Sequence, residues 1–156
     1  MTDEEWMRLA IATAREGMHR GQTPFGAVIT RAGELLSAEH NRVWDQLDPS
    51  AHAEITAIRA CCKKIQSINL EGATIYSTTE PCPMCFSAIH WSGISRIVYG
   101  ATIADALTAG FNELTISNHE MKRIGQAKLE VVSDFLRAEA VDLFREFSTM
   151  QGRRIY

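Results

Sequence analysis

Four residues of this chain have the types and spacing of a hydrolytic metal site. Cys82 and Cys85 stand three apart in "EPCPMC" (80–85), and "HAE" (52–54) sets a histidine two residues before a glutamate. Pro81 and Pro83 suit a strand-to-helix corner, because the first turn of a helix does not need its own N–H groups. Side chains at i and i+3 share one side of a helix start. The partial positive charge of that helix end favours thiolate over thiol. Two thiolates make half of a tetrahedral zinc site. His52 opens a second predicted helix and supplies a third ligand. Side chains of a first turn tilt past the helix end, so Glu54 reaches the same place.

No fourth protein ligand has suitable spacing. Cys61 and Cys62 lie roughly 14 Å further down the second helix at 1.5 Å per residue. His19, His40, His90 and His119 are not spaced as ligands to the others. Three protein ligands (His52, Cys82, Cys85) plus water is the pattern of a catalytic zinc, one Zn2+ per chain, with Glu54 as the base beside that water. A C-x-x-C pair alone also fits a redox dithiol. A zinc-stabilised interaction module is the non-enzyme alternative, and a fourth protein ligand or a missing glutamate would mark it.

The elements that must position these residues follow from periodicity. "TDEEWMRLAIATAREGMHRG" predicts a helix opened by a Thr2/Glu5 capping box, with Met7, Ile11, Ala14 and Met18 on one face. "FGAVITR" and "ELLSAEHNRV" predict a hairpin about Ala32-Gly33. A helix follows in "DPSAHAEITAIRACCKKI", with Ser50 as its expected cap. "ATIYSTT" predicts a third strand, "PMCFSAIHWSG" a helix closed by Gly93, and "SRIVYGAT" a fourth strand. A partly helical loop is expected over 103–125, where Asp105 reads as a cap. "AKLEVVS" predicts a fifth strand and a last helix starts near Asp134, with Leu136, Ala140, Leu143, Phe144 and Phe147 inward. Strand–helix–strand units after a hairpin predict a mixed sheet with helices on both faces.

The chain has 156 residues, 46% hydrophobic and 22% charged, which predicts one domain over 1–156. Its net charge is −3, and basic residues come only in pairs such as Lys63-Lys64 and Arg153-Arg154. That is a poor footprint for a phosphate backbone, so nucleic acid is not an expected partner. No apolar run approaches a membrane span, and "MTDEEWMRLA" lacks the basic start of a signal peptide, so a cytoplasmic location is expected.

The H-x-E…P-C-x-x-C pattern is that of the zinc nucleobase deaminases. Together with "PFGAVI", "HNRVWDQLDPSAHAEITAIR", "EPCPMCFSAIHW" and "TIADALTAGF", the chain resembles the guanine deaminase branch of the cytidine deaminase-like superfamily. The resemblance implies a three-layer α/β/α fold with a five-stranded mixed sheet. It implies hydrolysis of guanine to xanthine and ammonia. Phe25 would pack on the base, Asn41 would bond its polar edge, and Trp91 would line the pocket. Bacillus-type members carry an Asp after "AGF"; here Asn112-Glu113 stand there, and Glu113 would be the second proton shuttle unless the substrate differs. A homodimer is implied, domain-swapped through the C-terminal helix, in which Tyr156 closes the partner's site. The tRNA adenosine deaminases share "DPxAHAE" and "EPCxMC", so tRNA adenosine is one alternative substrate; cytosine or another small aminated ring is the other.

Overall fold

The computed structural model describes residues 1–156. Its elements run α1 (Asp3–His19), β1 (Gly26–Arg31), β2 (Glu34–His40), α2 (Val43–Gln46), α3 (Ala53–Ile65), β3 (Ala73–Thr79), α4 (Pro83–Ser92), β4 (Arg96–Ala101), α5 (Ile103–Thr108), α6 (Asn118–Gly125), β5 (Glu130–Val132) and α7 (Arg137–Ser148). The five strands form one mixed sheet in the order β2-β1-β3-β4-β5. β1 runs antiparallel to β2 and β3, while β3–β4 and β4–β5 are parallel.

Alternation along the strands divides the core in two. Val28, Tyr76 and Val98 pack with Met7, Ile11, Leu143 and Phe144 of α1 and α7. Ala27, Ile29, Ile75 and Ile97 pack on the other face with Ala53, Ala57, Phe86 and Ile89 of α3 and α4. This is the three-layer α/β/α cytidine deaminase-like arrangement that the sequence implied. No helix is long and apolar enough to cross a membrane.

Several boundaries differ from the sequence reading, each for a local reason. α3 is capped at His52 and not at Ser50, because the Ser50 amide and hydroxyl both donate to Asp48 Oδ1, at 2.8 and 2.7 Å. Such local bonds compete with capping. α7 begins at Arg137, three residues late, since Asp134 and Leu136 both hold positive φ, which no helix can pass through. The stretch 103–125 contains two helices, and α5 opens with a Thr102/Asp105 capping box. β2 stops at His40, leaving Asn41 free of the sheet. β5 is only three residues long.

Gly26 lets α1 lie against β1. A Cβ there would stand 2.3 Å from the Ala10 carbonyl oxygen and 2.8 Å from the Ala14 amide nitrogen. Both obstacles are backbone. Gly26→Ala is therefore expected to cost about 1–3 kcal/mol as an overpacking change. Calorimetry should show this as a Tm fall of about 2–4 °C per kcal/mol.

Candidate active site

Two helix starts meet at the carboxyl end of β3. His52 is the N-cap of α3 and Cys82 the N-cap of α4, both with extended backbone, and neither side chain makes a capping hydrogen bond. Their ligating atoms are thus free to point at each other. His52 Nδ1 lies 3.6 Å from Cys82 Sγ and 3.5 Å from Cys85 Sγ. The three ligand atoms form the one group of its kind in the chain, all within 4.8 Å of one another. Nitrogen and sulfur bound to one tetrahedral zinc, at about 2.05 and 2.3 Å, would stand about 3.5 Å apart. The donor set and its spacing fit zinc.

Glu54 is buried beside this group. Its Oε1 accepts from the Ser77 hydroxyl at 3.0 Å, and Cys85 Sγ lies 3.6 Å from Oε2. Burial raises the Glu54 carboxyl above the usual carboxylate range. Hydrogen bonding from Cys85, reinforced by His52, pulls the Cys82 thiol down to about 4, while burial holds Cys85 up. Glu113 is pushed up to about 7 by burial and by the neighbouring Cys82 charge. A pair of carboxyls with raised values facing one cleft is an arrangement suited to proton transfer.

A cavity of about 20 Å³ is lined by Phe25, His52, Glu54, Thr79, Cys82, Glu113 and Tyr156. It has room for a single water and none for a purine. A larger pocket of about 210 Å³ lies outside it, walled by Pro49, Met84, Asn112 and Leu114 and sharing His52, Cys82, Glu113 and Tyr156. Phe25 packs edge-on against Phe111 at 4.9 Å. Asn41 is fully buried; its Oδ1 accepts from the Val43 amide at 3.0 Å, so its Nδ2 group is the end left for a ligand.

Within the single chain, Tyr156 lines that chain's own site. Its hydroxyl accepts from Asn41 Nδ2 at 2.6 Å, and its carbonyl accepts from the Asn112 amide at 3.3 Å. Trp44 holds the tail down. The Arg154 guanidinium sits 4.5 Å over the Trp44 ring, the Trp44 indole N–H donates to the Arg154 carbonyl at 3.4 Å, and the Trp44 and Tyr156 rings lie 6.2 Å apart.

Trp91 is not brought to this cavity. It is 81% exposed and stacks edge-on with His90 at 5.6 Å. At about 100° per residue, six residues from Cys85 carry a side chain to another face of α4. Conversely, Ser77 and Trp44 are site residues absent from the sequence reading. Ser77 could have been found by strand alternation, since it falls on the same face as Ile75; Trp44 carried no periodic signal.

A buried glutamate beside a His-Cys-Cys group, at the strand ends of a mixed sheet covered by helices, defines a zinc-dependent hydrolytic deaminase. The family profile "Cytidine and deoxycytidylate deaminase zinc-binding region" matches residues 1–101, and the chain belongs to this family. It is 40% identical to the guanine deaminase of Bacillus subtilis over 114 residues, 72% of this chain and 73% of that one. It is 43% identical to the tRNA-specific adenosine deaminase of Haemophilus influenzae over 153 residues, 97% of this chain and 85% of that one. Among solved structures, a guanine deaminase from Nitrosomonas europaea superposes with a TM-score of 0.87 at 28% identity, covering 96% of this chain and 86% of that one.

Proposed function

We propose that the chain deaminates guanine to xanthine, with zinc on His52, Cys82 and Cys85 and with Glu54 as the principal proton carrier. The observation that carries this reading is the pair of carboxyls, Glu54 and Glu113, lining one small cavity. Guanine presents adjacent N–H donors, N1–H and the C2 amino group, to such acceptors. Adenine and cytosine carry no ring N–H beside their amino groups, whereas guanine has N1–H on one side of C2 and the acceptor N3 on the other. The Nδ2 donor of Asn41 in turn requires an acceptor on the base, which a purine carbonyl or ring nitrogen supplies.

When bound, zinc supplies a water acidic enough to attack at neutral pH. Glu54 takes a proton from that water and delivers it to a ring nitrogen next to C2. The oxygen bonds to C2 as a hydroxyl; Glu54 then takes that hydroxyl's proton and, helped by Glu113, passes it to the departing amine, which leaves the C2 oxygen as a carbonyl. The C2–N bond breaks, and xanthine and ammonia result from guanine and one water. Ser77 donates to one oxygen of Glu54, and the other faces the ligand group at 3.6 Å from Cys85 Sγ. Phe25 packs on the base and Asn41 fixes its edge.

The Tyr156 ring must move aside for a base to enter, because it occupies the donor of Asn41 and leaves space for one water. Once the base is bound, the tail covers it and excludes water, which strengthens the electrostatics inside. Deleting Arg153–Tyr156 is expected to leave zinc content and folding intact and to raise KM for guanine roughly tenfold, about 1.4 kcal/mol of lost transition-state stabilisation if kcat is unchanged. Unchanged kinetics in a folded truncation would remove the tail from the site. A homodimer belongs to this reading; Trp91, Ile124 and Leu114 are exposed apolar side chains available to a second subunit.

The second reading is tRNA adenosine deamination, favoured by the near full-length match to the Haemophilus influenzae enzyme. Against it stand the net charge of −3 and a mouth obstructed by the tail, where a flipped nucleotide would have to pass. Ammonia release from guanine, guanosine, cytosine, adenine and a tRNA anticodon stem-loop separates the readings. Guanine is expected to lead the panel; conversion of the stem-loop or cytosine with guanine untouched would overturn the proposal.

A further inference from the structure

Glu80 is a buried carboxyl that the chemistry above does not use. It follows the end of β3 and precedes Pro81 and Cys82, and it is 6% exposed. Its two oxygens accept from two distant backbone amides: Oε2 from Ile103 at 3.0 Å and Oε1 from Asn118 at 2.8 Å. Those amides belong to the first residues of α5 and α6. Asn118 is itself fully buried, and its Nδ2 group donates back to the Pro81 carbonyl at 2.6 Å. Residues 80–81 thus grip both ends of the stretch from Ile103 to Asn118.

What lies between the two grips is the loop that carries Glu113. From Phe111 to Ser117 the chain has neither helix nor strand. Within it, Glu113 is held locally only by its own amide on the Phe111 carbonyl at 3.0 Å, and Asn112 by its amide on Tyr156. No regular ladder fixes the depth at which the Glu113 carboxyl enters the cavity. On one side the buried Phe111 anchors the loop through its amide on the Ala106 carbonyl at 3.1 Å, and on the other side the anchor is Asn118, held by the Glu80 side chain.

We infer that Glu80, together with Asn118, is a positioning residue that sets the place of Glu113 over the reacting amine by pinning the 103–118 segment to the corner that carries Cys82. Glu80 touches no substrate in this arrangement. It acts through Glu113, so the inference rests on the role of Glu113 proposed above. Small displacements matter at such a site, because an error of about 1 Å can cost roughly 100-fold in rate.

Glutamine at position 80 keeps one acceptor oxygen and turns an NH2 group toward the other amide, so one grip is lost. Glu80→Gln is expected to keep zinc and to lower kcat on guanine roughly 10–100-fold with little change in KM. The deciding measurement is the double-mutant cycle with Glu113→Gln. In the Glu113→Gln background, Glu80→Gln is expected to cost under about threefold more. Asn118→Ala, which leaves the Glu80 bond to the backbone in place, is run in the same cycle, so an unfolded Glu80 variant does not suspend the test. Equal fold-losses in both backgrounds would show a general structural role and overturn the inference. Wild-type turnover by Glu113→Gln alone would instead overturn the role given to Glu113.

Discussion

Glu54→Gln protein is expected to carry zinc at wild-type stoichiometry, to fold, and to turn over guanine at least roughly 10²–10⁴-fold more slowly than wild type. The expectation follows from geometry. Glu54 is the buried carboxyl beside the ligand group, with one oxygen fixed by Ser77 and the other facing Cys85. In the proposed mechanism proton uptake from water, delivery to the ring and protonation of the amine all pass through this group, so its loss is expected to be felt in each transfer. The amide is isosteric and still accepts from Ser77, so the fold has no reason to fail. Single-turnover ammonia release at saturating guanine checks the prediction. A rate within a few-fold of wild type would place the base elsewhere, with Glu113 the first candidate.

Removing a ligand is expected to act at the level of the metal itself. Cys82→Ala, Cys85→Ala or His52→Ala leaves two of three protein donors, and metal analysis should show zinc lost or reduced to trace amounts, with turnover at background. Structural stability should fall less than in a zinc finger, because both helix starts are held by a sheet and two apolar cores independent of the metal. Full zinc retention in Cys82→Ala and in Cys85→Ala would refute the assignment of these ligands.

The metal half of the site was legible in the sequence because its geometry is local. Cys82 and Cys85 share a helix turn, and "HAE" and "EPCPMC" each sit at a helix start, where spacing alone settles which way side chains tilt. The strands and the Thr2/Glu5 cap were legible for the same reason, since period and capping pattern are short-range. What was not legible depends on distant partners. Ser50 looked like a cap until Asp48 claimed its donors. Asp134 and Leu136 gave no warning of positive φ. Trp91 carried a role only by resemblance, and its turn of helix points it outward. Trp44 and Glu80 act on residues 110 and 38 positions away, respectively, and no pattern at their own positions announces that.

A zinc held by three protein donors, His52, Cys82 and Cys85, would keep one position open for chemistry. Zinc-edge X-ray absorption on the purified chain tests it most directly. Two sulfur scatterers at about 2.3 Å and two lighter ones at about 2.0–2.1 Å are expected, with one light scatterer disappearing in His52→Ala if metal is retained at all. A shell of three or four sulfurs, or two sulfurs with two imidazoles, would describe a closed structural site and contradict the account.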